Sequence, residues 1–187
     1  MPAACSNLIE NGSFEERTAW EIPSTEYTAR YSSDIAHTGI TSMRTGIVDP
    51  VDNRYSYSSA RQLVSIPWDA NLAKLRFYRF PISGEIYTSS PEDVFRLLPA
   101  LPAVGDTVEE DVLSGDIQMV LILDYYDNII STLMWGLSDR QAWQYREFDL
   151  MGYRGWTIKV YFGTYNDGWG GVSAQYFDDV SLEVCQP

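Results

Sequence analysis

Residues 164–171 read Thr-Tyr-Asn-Asp-Gly-Trp-Gly-Gly, which sets two aromatic rings, an amide and a carboxylate on a glycine frame. Sugars offer apolar C–H faces that stack on aromatic rings, and hydroxyls that need Asn, Asp, Gln or Arg at the rim. Tyr165, Asn166, Asp167 and Trp169 are therefore the local candidates for binding a carbohydrate, with Trp135 and Arg140 as candidates elsewhere in the chain. For Trp135, as for Trp20, Tyr27, Tyr31 and Trp143, core packing is the competing role. The glycine run lacks the Lys and Ser or Thr that follow in a phosphate-binding loop.

A second kind of chemistry lies in the carboxylates. Counting back by two along the last apolar run, from Val184, Leu182 and Val180, puts Asp178 and Tyr176 on the same inward face. A buried carboxylate needs a cation, either a metal ion or an arginine such as Arg44. Glu15 is expected in the opening strand and would be near Asp178 if the chain ends pair; two such carboxylates with backbone carbonyls suit calcium. Asp179, one residue out of phase, is expected to face solvent. Cys5 and Cys185 stand just outside the two terminal motifs, so first and last strands paired in one sheet would bring them within disulfide reach.

Catalysis finds little support. His37 is the single histidine, which leaves a serine or cysteine triad only one base, and there is no Gly-x-Ser-x-Gly turn. Zinc hydrolase motifs need more histidines. The 26 acidic residues leave a two-carboxylate glycosidase open on count alone. The reading is of a protein that is not an enzyme, with His37 as a loop or binding-face residue.

The elements that position these residues are strands. Period-two alternation recurs at 75–78, 117–123 and 158–162, and further strands are expected near 26–32, 41–47, 56–66, 129–135, 142–149 and 173–184. The count suits an all-β fold of two antiparallel sheets packed as a sandwich. At 187 residues the chain fits one domain. An irregular insertion is expected at about 81–115, with Pro81, Pro91, Pro99 and Pro102, acidic clusters and a short helix at 91–98. The formal charge of −13 disfavours nucleic acid and anionic lipid, and no apolar run has the length of a membrane span. A disulfide would place the protein outside the reducing cytosol, secreted or at a cell surface.

The opening Asn7-Leu8-Ile9-x-Asn11-Gly12-x-Phe14-Glu15, the Gly39-x-x-Ser42-x-Arg44 segment, the Gln62-x-Val64-x-Ile66-Pro67 strand and the closing Asp178-Asp179-Val180-x-Leu182 share an order and spacing with one family. The chain resembles the jelly-roll carbohydrate-binding modules of the galactose-binding-like superfamily. The resemblance implies a structural calcium between the termini, held by Asp178, carbonyls of Ser13 and Gly39, and the Glu15 carboxylate. It implies a noncatalytic module binding a polysaccharide or oligosaccharide, with neighbouring domains of a larger secreted protein as further partners. The alternatives are an accessory or adhesion domain without a sugar ligand, and a stand-alone glycosidase or lyase.

Overall fold

The structure, a computed structural model, describes residues 4–85 and 115–187. Ten strands run β1 (Ala4–Asn7), β2 (Arg30–Ser32), β3 (Ser42–Gly46), β4 (Tyr55–Ser65), β5 (Leu72–Ser83), β6 (Ile117–Leu123), β7 (Ile129–Gly136), β8 (Gln144–Asp149), β9 (Thr157–Asp167) and β10 (Ser173–Gln186). They form two antiparallel sheets. The first has the order β2-β3-β10-β5-β8, with β1 also on β10, and the second the order β4-β9-β6-β7. None of the described helices is long and apolar enough to cross a membrane.

Alternation decides which way each strand faces. In β5, Ala73, Leu75 and Phe77 are buried between the sheets while Lys74, Arg76 and Tyr78 face out; in β9, Ile158, Val160 and Phe162 do the same. The core centres on three phenylalanines, one from each of β5, β9 and β10. Phe162 lies 4.3 Å from Phe177 and 5.1 Å from Phe77, centroid to centroid. Trp20 packs on Phe162 and Phe14 on Trp20, so Trp20 belongs to the core. Toward one end the interior turns polar: Gln175 Nε2 donates to the Gly163 carbonyl at 2.7 Å, and Thr45 and Thr164 share a hydroxyl contact at 2.8 Å.

The closing strand departs from the simple phase. Between Asp178 and Ser181, β10 carries one residue more than its partner β5, and Asp179 adopts φ 49°. This bulge reverses the alternation. Phe177 and Val180 both face the core, whereas Asp178 and Tyr176 point to the outer side, beneath the segment before β3. The expectation that Asp178 shares a face with Val180 and Leu182 is thus corrected. The bulge is seated on the opening turn, where Val180 N donates to the Gly12 carbonyl at 2.9 Å. A Cβ on Gly12 would fall 1.8 Å from the Val180 carbonyl oxygen, so only glycine fits there.

Two boundaries also move. Pro81, Ile82 and Ser83 complete β5, so the expected insertion does not include them, and most of it, with the helix expected at 91–98, lies outside the described residues. Glu15 is not in the opening strand, which ends at Asn7; it follows a tight turn in which Phe14 N donates to the Asn11 carbonyl.

The ends pair as expected. Cys5 lies opposite Cys185 in the β1–β10 ladder and is bonded to it, across a sequence separation of 180. Closing so long a loop removes about 5 kcal/mol of unfolded-chain entropy in the chain-entropy account. Cys5→Ser with Cys185→Ser is expected to lower unfolding stability by up to about that amount, measured by urea titration; a variant as stable as the parent would contradict it.

Candidate functional site

Three groups of side chains outside the core could do chemistry. The first is the outer face of the second sheet. Cross-strand register places Tyr57 beside Tyr165 and Ile117, and Ser59 beside Gly163, Met119 and Trp135, in successive rows. Ile117, Met119, Leu121 and Leu123 of β6 form an apolar floor with Tyr165, and Trp135 and Tyr161 pack against it. On the β4 side Tyr55 and Tyr57 are exposed, and their rings meet Tyr165 at 5.6 and 4.8 Å. Tyr161 lies flat over Gly163, since a Cβ there would be 2.5 Å from its Cε1. Burial pushes the Tyr57 and Tyr161 phenols upward, keeping both neutral as hydrogen-bond donors. Below them the face becomes charged: Arg61 bridges Glu21 at 2.5 Å and Asp127 at 3.0 Å, and Lys159 reaches Asp127 at 2.5 Å. The Nε of Arg61 is buried without a hydrogen-bond partner.

The second group surrounds the β10 bulge. Asp178, fully buried, accepts from the amides of His37 at 2.7 Å and Thr38 at 3.1 Å through Oδ2, and from Asp179 N through Oδ1. Burial nonetheless pushes its carboxyl above the usual range. Glu15 Oε1 accepts from the amides of Ile40 at 2.8 Å and Thr41 at 2.9 Å, which hold its carboxyl below the usual range, the Thr41 bond contributing most. Gly39, at φ 65°, leaves the space that the Glu15 carboxylate fills: a Cβ would sit 2.3 Å from Oε1. One loop therefore joins Glu15, Gly39 and Asp178, and the bulge seats the turn containing Ser13 next to them. Arg44 turns to Asp34 and not to Asp178: its guanidinium is 3.5 Å from the Asp34 carboxylate and donates to the Tyr27 hydroxyl at 3.0 Å. Asp179, expected in solvent, instead contacts His37 Nδ1 and Thr38 Oγ1, each at 2.6 Å. His37 stacks on Tyr78 at 3.6 Å, with Trp143 edge-on to the imidazole.

The third group went unnoticed in the sequence. Glu85, Asp116 and Asp167 each place a carboxylate oxygen within 4.8 Å of the others. Burial, the largest cause for both, pushes the Asp116 and Glu85 carboxyls upward. Only Asp167 stood out in the sequence; Glu85 and Asp116 flank the undescribed stretch, 31 positions apart in number (116 − 85), and no spacing rule joins them.

The carbohydrate candidates divide accordingly. Tyr165 and Trp135 share the outer face of the second sheet. Residues 164–167 belong to β9, so the loop proper begins at Gly168 and carries Trp169, 81% exposed. Asp167 is in the acidic group, and Asn166 is fully buried, turned between the sheets onto Asp116 and the Ser173 carbonyl. Arg140 is exposed on the crossing between β7 and β8, where Asp139 accepts from Ser83 N and Gln141 N donates to the Pro81 carbonyl. Tyr55, Tyr57 and Tyr161 were missed; the signal was their odd-numbered phase with Tyr165 once β4 and β9 are paired.

No family model matches the chain, and no curated protein matches it by sequence. Solved structures do. A superposition covering 95% of this chain and 97% of the other, at TM-score 0.58 and 15% identity, is found with TmCBM61 in complex with beta-1,4-galactotriose. The fold is that of a β-sandwich carbohydrate-binding module. The CBM22-1 xylan-binding domain from Paenibacillus barcinonensis Xyn10C aligns over 100% of this chain and 99% of its own, at TM-score 0.51 and 11% identity. The enzymatically active domain of bacteriophage CBA120 tailspike protein 4 aligns over 95% of this chain but 21% of its own, at TM-score 0.53 and 9% identity. At these identities the likeness is one of fold.

Gly39→Ala is expected to cost about 1–3 kcal/mol, because the residue has positive φ and the added Cβ meets Glu15. Combining it with Glu15→Ala removes the clash but not the backbone strain, so urea unfolding of the pair should show less than the sum of the two single losses.

Proposed function

We propose that this chain is a noncatalytic carbohydrate-binding module of a secreted or surface protein, and that it binds polysaccharide or oligosaccharide over the outer face of the second sheet. The observation that carries this reading is the aromatic set Tyr55, Tyr57, Tyr161, Tyr165 and Trp135, gathered from three strands onto one surface. Pyranose rings stack on such a surface, and phenol hydroxyls with the Arg61 guanidinium supply donors for sugar hydroxyls. Trp169 stands exposed beyond the β9 end of the same sheet and would extend the surface. Arg140, exposed on the β7–β8 crossing, would be a further donor to a bound sugar. The disulfide favours an oxidising compartment.

A structural calcium near the termini fits the residues present. Asp178 and Glu15 would hold it with backbone oxygens of Ser13 and Gly39; the close approach of the Glu15 carboxylate to Gly39 and the burial of Asp178 favour a cation there. It would supply charge neutralisation at the bulge. Asp178 and Glu15 themselves tie the 37–41 loop to the sandwich through their amide bonds.

Two experiments test these points. Tyr57→Ala and Trp135→Ala are each expected to weaken binding to a responsive polysaccharide by about tenfold, roughly 1.4 kcal/mol, with the melting temperature nearly unchanged. The panel should include soluble and insoluble glycans; a folded parent that binds none would favour an accessory domain without a sugar ligand. For the cation, calcium should raise the parent's melting temperature relative to chelator, and Asp178→Asn should reduce that rise. Equal melting curves in calcium and after prolonged chelation would count against it.

A further inference from the structure

We infer that Glu85, Asp116 and Asp167, with the carboxamide of Asn166, form a calcium-binding site at the root of the Trp169 loop. It rests on neither the sugar surface nor the cation near Asp178. Ser173, whose carbonyl accepts from Asn166, precedes Asp178 by five residues on β10, a separation of about 16 Å along a strand.

Three ionised carboxylates within 4.8 Å of one another repel, and a cation among them relieves that repulsion without protonating any of them. The ion pairs among the described residues engage other carboxylates. Hydrogen bonds from Asp167 N at 2.9 Å and Asn166 Nδ2 at 2.8 Å orient Asp116, and bonds from Gly115 N at 3.1 Å and Trp169 N at 2.7 Å orient Asp167. These fix the carboxylates without neutralising them. An independent observation comes from Asn166. Its side chain is turned onto Asp116, the residue is 0% exposed, and its Oδ1 has no hydrogen-bond partner. A buried carboxamide oxygen left alone is costly, and it is a usual neutral ligand for calcium. Glu85 Oε1 is likewise buried without a partner.

The donor set selects the metal class. Every ligand atom is oxygen, which suits a hard cation and not zinc or copper. Calcium tolerates irregular arrangements of six to eight oxygens, whereas magnesium requires a near-ideal octahedron and keeps several waters. The glycine loop fits closely around the group: a Cβ on Gly170 would lie 3.1 Å from Glu85 Oε2. A bound ion would therefore tie β9, the residues after β5 and the loop bearing Trp169 into one rigid unit.

Terbium, which replaces calcium and luminesces when excited through a nearby tryptophan, provides the test. Chelator-treated full chain titrated with terbium is expected to give saturable luminescence that excess calcium displaces. Glu85→Gln and Asp167→Asn should each weaken terbium affinity at least tenfold, with folding checked by far-ultraviolet circular dichroism. Trp169→Phe should lower the intensity at unchanged affinity, and Asp178→Asn should leave this component in place. Absence of saturable luminescence, or a signal untouched by both Glu85→Gln and Asp167→Asn, would overturn the assignment; Glu85 is partly exposed, so its variant remains informative if Asp167→Asn misfolds.

Discussion

The bulge in β10 is the constraint on which the rest of the molecule depends. β10 pairs with β5 along one edge and with β3 and then β1 along the other, so any change in its phase is transmitted to the whole first sheet. The extra residue at Asp179 lets Phe177 and Val180 both enter the core, and that leaves Asp178 facing a loop instead of the other sheet. Its carboxylate then collects the amides of His37 and Thr38, which no strand ladder satisfies. One irregularity thereby supplies the seat for the opening turn and an acceptor for the loop before β3.

The two sheets differ in the character of their outer faces. The first carries the termini, the disulfide and the bulge, and its outer face is laced by ion pairs: Lys74 and Arg76 both bind Glu147, holding its carboxyl down at about 2. The second carries aromatic rings on its outer face, where Gly163 permits Tyr161 to lie flat. Its inner face is a largely aliphatic layer around Phe162 that turns polar toward Thr164 and Asn166.

Much of this was legible in the residues. Alternation located most of the strands, and the cysteines flanking both terminal motifs agreed with paired ends. The motif resemblance indicated the sandwich that the superpositions show. What failed was counting by two through Asp179: a bulge adds a residue without any compositional mark, because Asp tolerates left-handed φ much as Asn does. The rows of tyrosines were invisible for a related reason. Tyr57 and Tyr165 become neighbours only when the register between two strands more than a hundred residues apart is known. Glu85 and Asp116 suffered the same difficulty across a long excursion of the chain.

The placement of β10 also governs when the molecule can form. The central strand of the first sheet follows every other described strand in the sequence, and its partner β1 precedes them all. That sheet cannot close before β10 has been made, and the contacts that define it join the two extremes of the fold. Closure of the first sheet is consequently a late event, and the sheet stays open until β1 and β10 are both free to meet and their cysteines to oxidise.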